Sequence, residues 1–424
     1  MTQPGYETNE AFARDSDEQD SLKHFRERFY MPKQSNGEDV LYFTGNSLGL
    51  QPKSVRDYLD QELEDWEVFG VEGHFHAKNP WLSYHELLTG SMAKIVGAKP
   101  VETVVMNSLS VNLHLLMVSF YRPTRERYKI VIEAVAFPSD QYAVKSQIKF
   151  HGFDVEDSLI ELCPRDGETN LRTEDIIETL ESNADSIALV MLGGINYYSG
   201  QFFDIKRITE AGQRIGAVVG WDLAHAAGNV ELNLHDWNAD FAAWCSYKYL
   251  NSGPGGIGGV FVHERHADNF DLPRFAGWWG HDQATRFLMD DEFVPMRGAE
   301  GWQLSNQPIF LLAALRASLD IFDEAGMKSL REKSVKLTNY LELLLNEIHD
   351  ERIFVITPAD AESRGCQLSI RVGNSGKKLF DALTERGVIA DWREPDVIRV
   401  APVPLYNTFT DVWKFVEILK DCLK

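Results

Sequence analysis

From about residue 90 the chain alternates short apolar runs with stretches whose apolar positions recur at helical spacing. The runs are ETVVMN, YKIVIEA, SIALVMLGG, GAVVGWDLA, FAAWCSYK and GGVFVH, in that order. Apolar runs of this length between helical stretches predict βα units on a mainly parallel sheet. Upstream, a polar leader over residues 1 to 20 is expected to be mobile, and a helical stretch with Leu22, Phe25 and Phe29 stops at Pro32. An extended segment, VLYFTGNSLGLQPKSV, leads into an amphipathic helix from Val55 to Phe69. Past Pro308 the pattern turns helix-rich, Ile309 to Ala325 and then Met327 to Ile348, before the short strands CQLSIRVG and VIRVAPV and a last helix. The expected organisation is an N-terminal segment (1–80), a large domain (81–307) and a smaller α+β C-terminal domain (308–424). Repeats and low-complexity tracts are absent from the sequence.

Composition narrows the class. A chain of 424 residues can bury a large core, and its length fits two or three domains. The formal net charge of −22 leaves a nucleic acid or an anionic membrane without the basic surface that either partner needs. Cys163, Cys245, Cys366 and Cys422 are far apart, with no CxxC or Cys/His ligand spacing. They indicate neither a disulfide framework nor a zinc site, and point to a reduced, cytoplasmic compartment. The acidic start, MTQPGYETNEAFARDSDEQD, has no apolar core and reads as neither a signal nor a transit peptide. No apolar run approaches the roughly 20 residues of a membrane helix.

Candidate chemistry collects at the ends of the apolar runs. In open α/β sheets ligands bind beyond the carboxyl ends of the strands. Asp222 emerges from the run Ala217-Val218-Val219-Gly220-Trp221, and Lys248 ends the run that begins at Phe241, 26 residues further on than Asp222. A carboxylate and a lysine so placed are what holding a pyridoxal phosphate ring requires: the carboxylate keeps the ring nitrogen protonated, and the amine bonds to the aldehyde. Each residue also has a plainer reading. Asp222 alone can cap the helix near Leu223, Lys248 alone can be a solvated strand-end lysine, and His225 alone is more often a satisfied core histidine. Ser246 and Tyr247 are placed to offer hydroxyls to a phosphate, and Tyr247 to carry protons. The glycines from Gly253 to Gly258 match GxGxxG but lead into a strand, not a helix, so they are not a dinucleotide fingerprint.

A phosphate also calls for backbone donors at a helix start. Leu109 and Ser110 follow the run ETVVMN and open a helical stretch, where Ser108 or Ser110 could equally be an N-cap. Phe137-Pro138-Ser139-Asp140 follows YKIVIEA and opens another, with Phe137 placed to lie over a cofactor ring and Asp140 to cap the helix.

The segments Thr44-Gly45-Asn46-Ser47-Leu48-Gly49-Leu50, Phe137-Pro138-Ser139-Asp140, Trp221 to Val230, Cys245 to Asn251, Gly277-Trp278-Trp279-Gly280-His281 and Arg399-Val400-Ala401-Pro402 together resemble the kynureninase family. They occur in the family's order over about residues 25 to 424. The resemblance implies an aspartate-aminotransferase-type fold and a pyridoxal 5′-phosphate-dependent homodimer with active sites at the subunit interface. It implies hydrolysis of kynurenine or 3-hydroxykynurenine to an anthranilate and alanine, in tryptophan degradation and NAD biosynthesis. By the same resemblance Lys248 carries the cofactor, Asp222 holds the ring nitrogen and Phe137 stacks on the ring. Leu109, Ser110, Pro138, Ser139, Asp140, His225 and Tyr247 match cofactor-contacting positions. Trp278 and Asn306 match positions near phosphate and substrate, contributed by the neighbouring subunit, and Arg399 matches the arginine that clamps the substrate carboxylate. Ser47, His74, Ser305 and Asn306 match substrate-binding positions, the last three in a pattern that suits a 3-hydroxyl. Gly193 departs from the family, where a serine or threonine is common.

Two other readings remain at this point. A cysteine desulfurase needs a nucleophilic cysteine on a mobile loop, which Cys245 and Cys366 do not suit. A non-catalytic scaffold does not need Lys248, Asp222 and Arg399 together.

Overall fold

The computed structural model describes residues 5–134, 136–289, 291–373 and 376–424. Strand β1 (Leu41–Tyr42) lies in the N-terminal segment. A seven-stranded sheet contains β2 (Thr103–Val105), β3 (Lys129–Glu133), β4 (Leu159–Leu162), β5 (Ile187–Gly193), β6 (Val218–Asp222), β7 (Phe241–Trp244) and β8 (Gly259–Val262). Their spatial order is β2-β8-β7-β6-β5-β3-β4. The pairs from β7 through to β4 are parallel, whereas β8 is antiparallel to both β2 and β7.

All six apolar runs form strands of this sheet. Alternation along them separates two cores: Val190, Leu192, Val219 and Trp221 enter one cluster, and Leu189, Met191, Phe241 and Ala243 the other. Burial on both faces is why the runs are continuous and not alternating. Edge strand β4 is only partly buried, so it carries no apolar run to mark it.

A four-stranded antiparallel sheet follows, from β9 (Ile353–Val355), β10 (Leu368–Val372), β12 (Asp391–Arg393) and β13 (Val397–Val400), in the order β12-β13-β10-β9. Between β10 and β12 in the sequence, β11 (Val388–Ile389) pairs in parallel with β1 as a separate two-stranded sheet, tying the N-terminal segment to the C-terminal part of the chain. The helices Ile309–Ala325 and Met327–Asn346 match the helix-rich stretch, the second ending two residues before the expected Ile348.

The leader departs from expectation. Residues Glu10–Gln19 form a helix whose N-cap Asn9 accepts the Phe12 N–H. Asp17 accepts the N–H groups of Phe409 and Thr410 at 2.6 and 3.1 Å, at the start of the last helix, Phe409–Leu423. That position favours an anion, because the orphan amides of a helix start point at it. Asp20 pairs with Lys333 at 2.7 Å, both side chains under a tenth exposed, and Arg26 pairs with Asp411 at 2.5 Å. Acidic composition there marks sites of attachment, not mobility. Among the described residues no helix is long and apolar enough to cross a membrane.

Breaking a buried ion pair on one side leaves the other charge desolvated and unpaired. Lys333→Ala is therefore expected to cost about 3 kcal/mol, and Asp20→Ala/Lys333→Ala less than the sum of the single changes. Thermal midpoints of the three variants check this; simple additivity would rule out the coupling.

Candidate active site

Strands β3, β5 and β6 end side by side on Glu133, Gly193 and Asp222, with Gly193 in register with Asp222. Their carboxyl ends border a cavity of about 260 Å³. Asp222 Oδ1 accepts the Ala224 N–H at 2.7 Å, a tight Asx turn in place of the expected helix cap. Asp140 is its close neighbour, turned into the cavity, and caps no helix. Burial raises both carboxyls above their ordinary range, Asp140 well above it, and each Asp140 neighbour that is anionic raises it further. Such a pair shares a proton, because two adjacent buried carboxylates do not both ionise. Glu133 forms the third wall. Burial pushes it up to about 7, with Asp222's charge adding to the effect, while N–H groups of its own backbone and of Gly193 act against it.

Opposite the carboxyls, Lys248 Nζ lies 2.9 Å from His225 Nε2 and 5.8 Å from the centre of the Phe137 ring. Burial, then the charges of Lys248, Arg399 and Arg393, hold His225 well below its usual value, so the ring is neutral. Nε2 is engaged by the Lys248 amine, and Nδ1 is buried with no partner. Tyr247 lines the cavity, its phenol pushed up by burial. Ser246 does not face it: its hydroxyl is spent on Ser252 Oγ at 2.6 Å and on the Ile257 carbonyl. Among the glycines after it, Gly258 permits a close backbone approach, since a Cβ there would come within 3.0 Å of the Trp244 carbonyl.

Two helix starts meet at the third side. The helix Leu109–Phe120 begins after Ser108 and the helix Pro138–Phe150 after Phe137, with Pro138 at the first helical position, turned away from the cavity. Neither serine acts as a side-chain N-cap; instead Ser110 Oγ and Ser139 Oγ lie 3.3 Å apart between the two starts. Leu109, Ser110, Phe137, Ser139 and Asp140 all line the cavity. Converging N-termini and hydroxyls make a cradle for a doubly charged anion.

The Gly45–Gly49 loop closes the floor. Gly49 N–H donates to the Tyr247 carbonyl at 2.8 Å, and a Cβ on Gly49 would stand 2.3 Å from the Lys248 carbonyl. Ser47 and Asn46 line the cavity here, and Arg399, 1% exposed, enters from β13. His74, Trp278, Ser305 and Asn306 are not among the cavity residues of their own chain. His74 lies half-buried in the short helix Gly73–His76 with Nδ1 2.9 Å from the Val71 carbonyl, and Trp278 Nε1 donates to the Arg286 carbonyl.

Glu133, Ile195, Tyr197 and Arg393 also line the cavity and were missed in the sequence reading. Glu133 carried the same mark as Asp222, an acid at the end of an apolar run. A Cβ at Gly193 would meet Glu133 Oε1 at 2.9 Å, so the glutamate fills the space where a serine side chain would begin.

A carboxyl wall for a ring nitrogen, a lysine and histidine facing it, and an anion cradle fit pyridoxal phosphate, and the unpartnered His225 Nδ1 and Asp140 Oδ1 are buried where polar ligand atoms would satisfy them. The fold is that of the pyridoxal-phosphate enzymes of the aspartate aminotransferase type. A cysteine desulfurase from Thermococcus onnurineus NA1 is similar over 90% of this chain and 94% of its own, with a TM-score of 0.75 at 20% identity. The C–S lyase C-DES, solved with glycine covalently linked to its PLP cofactor, matches over 93% and 99%, with a TM-score of 0.78 at 15% identity. The kynureninase C-terminal domain model matches residues 330–419. A kynureninase from Koribacter versatilis is 60% identical over 98% of both chains. The chain belongs to the kynureninase family.

Glu133 gives the site a pH signature. Below about pH 4.5 it is neutral folded or unfolded; between 4.5 and about 7 only the folded chain keeps the proton, so its stability falls as pH rises through that window. Glu133→Gln removes the titration. The cofactor-free variant is expected to gain on the parent from pH 5 upward, to about 3 kcal/mol at pH 8. Thermal midpoints at pH 5, 6.5 and 8 test it, and a constant difference across them would be the contrary result.

Proposed function

We propose that this protein is a pyridoxal-phosphate-dependent homodimer that hydrolyses kynurenine, and preferentially 3-hydroxykynurenine, to the corresponding anthranilate and alanine, serving tryptophan degradation in the cytoplasm. The observation that carries the reading is the cavity itself, where Lys248, His225 and Phe137 face Asp222 and Asp140, and Arg399 approaches from the small sheet. The bound cofactor supplies an electron sink that stabilises a carbanion on the substrate.

The side chains divide the remaining work. Lys248 would hold the cofactor through its amine and, when free, would take the substrate's α-proton; His225, neutral and 2.9 Å away, orients that amine. Asp222 is the anionic partner of the ring nitrogen. Asp140 and Asp222 would face the ring nitrogen, whose positive charge would stand in for the proton the pair otherwise shares. Phe137 packs against the ring. Leu109, Ser110, Ser139 and Tyr247 hold the phosphate, with Tyr247 also moving protons when water adds to the aryl ketone. Water's hydroxyl ends in the anthranilate carboxyl, its hydrogens are shared between the products, and the bond between the β- and γ-carbons breaks. Ser47 and Arg399 position the substrate, the guanidinium binding its carboxylate.

Trp278, His74, Ser305 and Asn306 reach a cavity only in the partner subunit's site under this reading. The exposed apolar residues Trp66, Val68, Val71, Phe75 and Phe310 around the His74 turn support an assembled state. Their polar neighbours would be left unpaired by a substrate without a 3-hydroxyl. The desulfurase reading is disfavoured by Cys245 and Cys366, both buried, with thiols pushed up by burial, Cys366 to about 12.

Lys248→Ala is expected to lose turnover and the cofactor's absorbance band, and Asp222→Ala to bind cofactor yet lose at least about a hundredfold in rate. Full activity in either variant refutes its role. Release of anthranilate and of 3-hydroxyanthranilate, each followed from its own substrate, tests the reaction and the preference; equal kcat/KM for the two removes the preference.

A further inference from the structure

Arg399 is not the only guanidinium in the cavity wall. In the antiparallel pair of β12 and β13, Asp391 lies opposite Arg399 and Arg393 opposite Val397. Residues two apart on a strand share a face, as do residues directly opposite, so Asp391, Arg393 and Arg399 all belong to one face. Both guanidiniums bond through Nη2 to the same atom, Asp391 Oδ2, Arg393 at 3.0 Å. Both stand 6.0 Å from the centre of the Tyr197 ring. Arg399 is further tied by Nη1 to the Tyr197 carbonyl at 2.6 Å, whereas Arg393 has no such tie and its side chain is 34% exposed.

Two features of this cluster point to a ligand. Arg393 Nε and Arg399 Nε are both buried and without a hydrogen-bond partner, a costly state for charged donors. Two cations share one carboxylate, leaving one positive charge uncompensated at the wall of a cavity that both residues line. An anion there supplies acceptors for the idle donors and cancels the charge.

We propose that Arg393 is a second, specificity-determining arginine, which together with Arg399 grips the α-carboxylate of an amino-acid substrate, Asp391 serving as the counter-ion that holds the two guanidiniums in one plane of approach. This deepens the function proposed above and rests on it for the identity of the substrate. Asp391 keeps two like charges together before the substrate arrives, so the clamp is preformed. Arg399 is locked by its buried ties; Arg393, more exposed and with one tie fewer, completes the grip at the cavity mouth. Tyr197 lies beneath both guanidiniums and edge-on to Phe137, with ring centres 5.2 Å apart, linking the anion end of the site to its stacking residue.

The test uses cofactor-loaded enzyme and the variants Arg393→Met, which keeps the apolar stem, and Arg393→Lys, which keeps the charge but not the fork. L-alanine is titrated against the cofactor's absorbance, and the inhibition constant is measured for the amine that kynurenine becomes on loss of its carboxyl group. Arg393→Met should weaken L-alanine and raise KM for kynurenine by at least about tenfold, with inhibition by the carboxyl-free amine changed by less than about twofold. Arg393→Lys should recover part of the loss. L-alanine binding unchanged in Arg393→Met, equal weakening of L-alanine and the amine, or no L-alanine binding by the parent enzyme would each overturn the proposal. Failure of the parent enzyme to release anthranilate would instead refute the reaction assigned to it, while the L-alanine titration still decides the role of Arg393.

Discussion

Everything in the site depends on burying three carboxyls where only a cation makes them comfortable. Glu133 and Asp222 end strands of an apolar sheet that flank β5, and Asp140 is turned toward them from the first turn of a helix whose orphan amides offer it no cap. Desolvation raises all three. Without a ring cation the Asp140–Asp222 pair keeps a shared proton; with one, the pair could release it and the protein would recover part of the desolvation cost. Cofactor affinity and the chemistry of the ring nitrogen thus have one electrostatic origin. Lys248 and the neutral His225 supply the opposite wall, and the preference of His225 for neutrality keeps Lys248 from competing with a second cation.

Much of this was legible in the sequence, for reasons that differ by element. The six buried strands announced themselves because both faces are covered, and their alternating side chains enter two separate cores. Edge strand β4, half in solvent, carried no such mark. Asp222 and Lys248 were readable because a charged residue closing an apolar run is costly enough to need a purpose. Glu133 obeyed the same rule and went unread because no familiar motif surrounded it. Arg393 was beyond sequence reasoning: its position depends on the pairing of β12 with β13, and that register appears only once the chain is folded. The acidic leader misled for a physical reason, since carboxylates that look like solvated charge are in fact bound to a helix start and to a buried lysine.

Residues outside the cavity in one chain are as informative as those inside. Trp278, His74, Ser305 and Asn306 do not line the cavity of their own chain, so the proposed activity assigns part of each substrate pocket to another copy of the chain. A division of this kind separates two tasks. Under the proposed activity the chain's own strands would supply the acid–base groups, and the assembly would supply part of the surface that chooses the aromatic ring.

The pairing of β1 with β11, residues 41–42 with 388–389, has a bearing on how the chain is made. Synthesis runs from the N-terminus, so Asp20 is exposed long before Lys333 exists, and β1 waits for nearly the whole chain before it has a partner. The strands of the large sheet are complete by residue 262 and have their neighbours by then. The N-terminal segment thus gains its contacts in stages: Gly49 can fasten the loop that carries Lys248 as soon as Tyr247 is made, whereas Asp20 and β1 wait for Lys333 and for residues 388–389, so the cofactor floor can close before the rest of the segment is anchored.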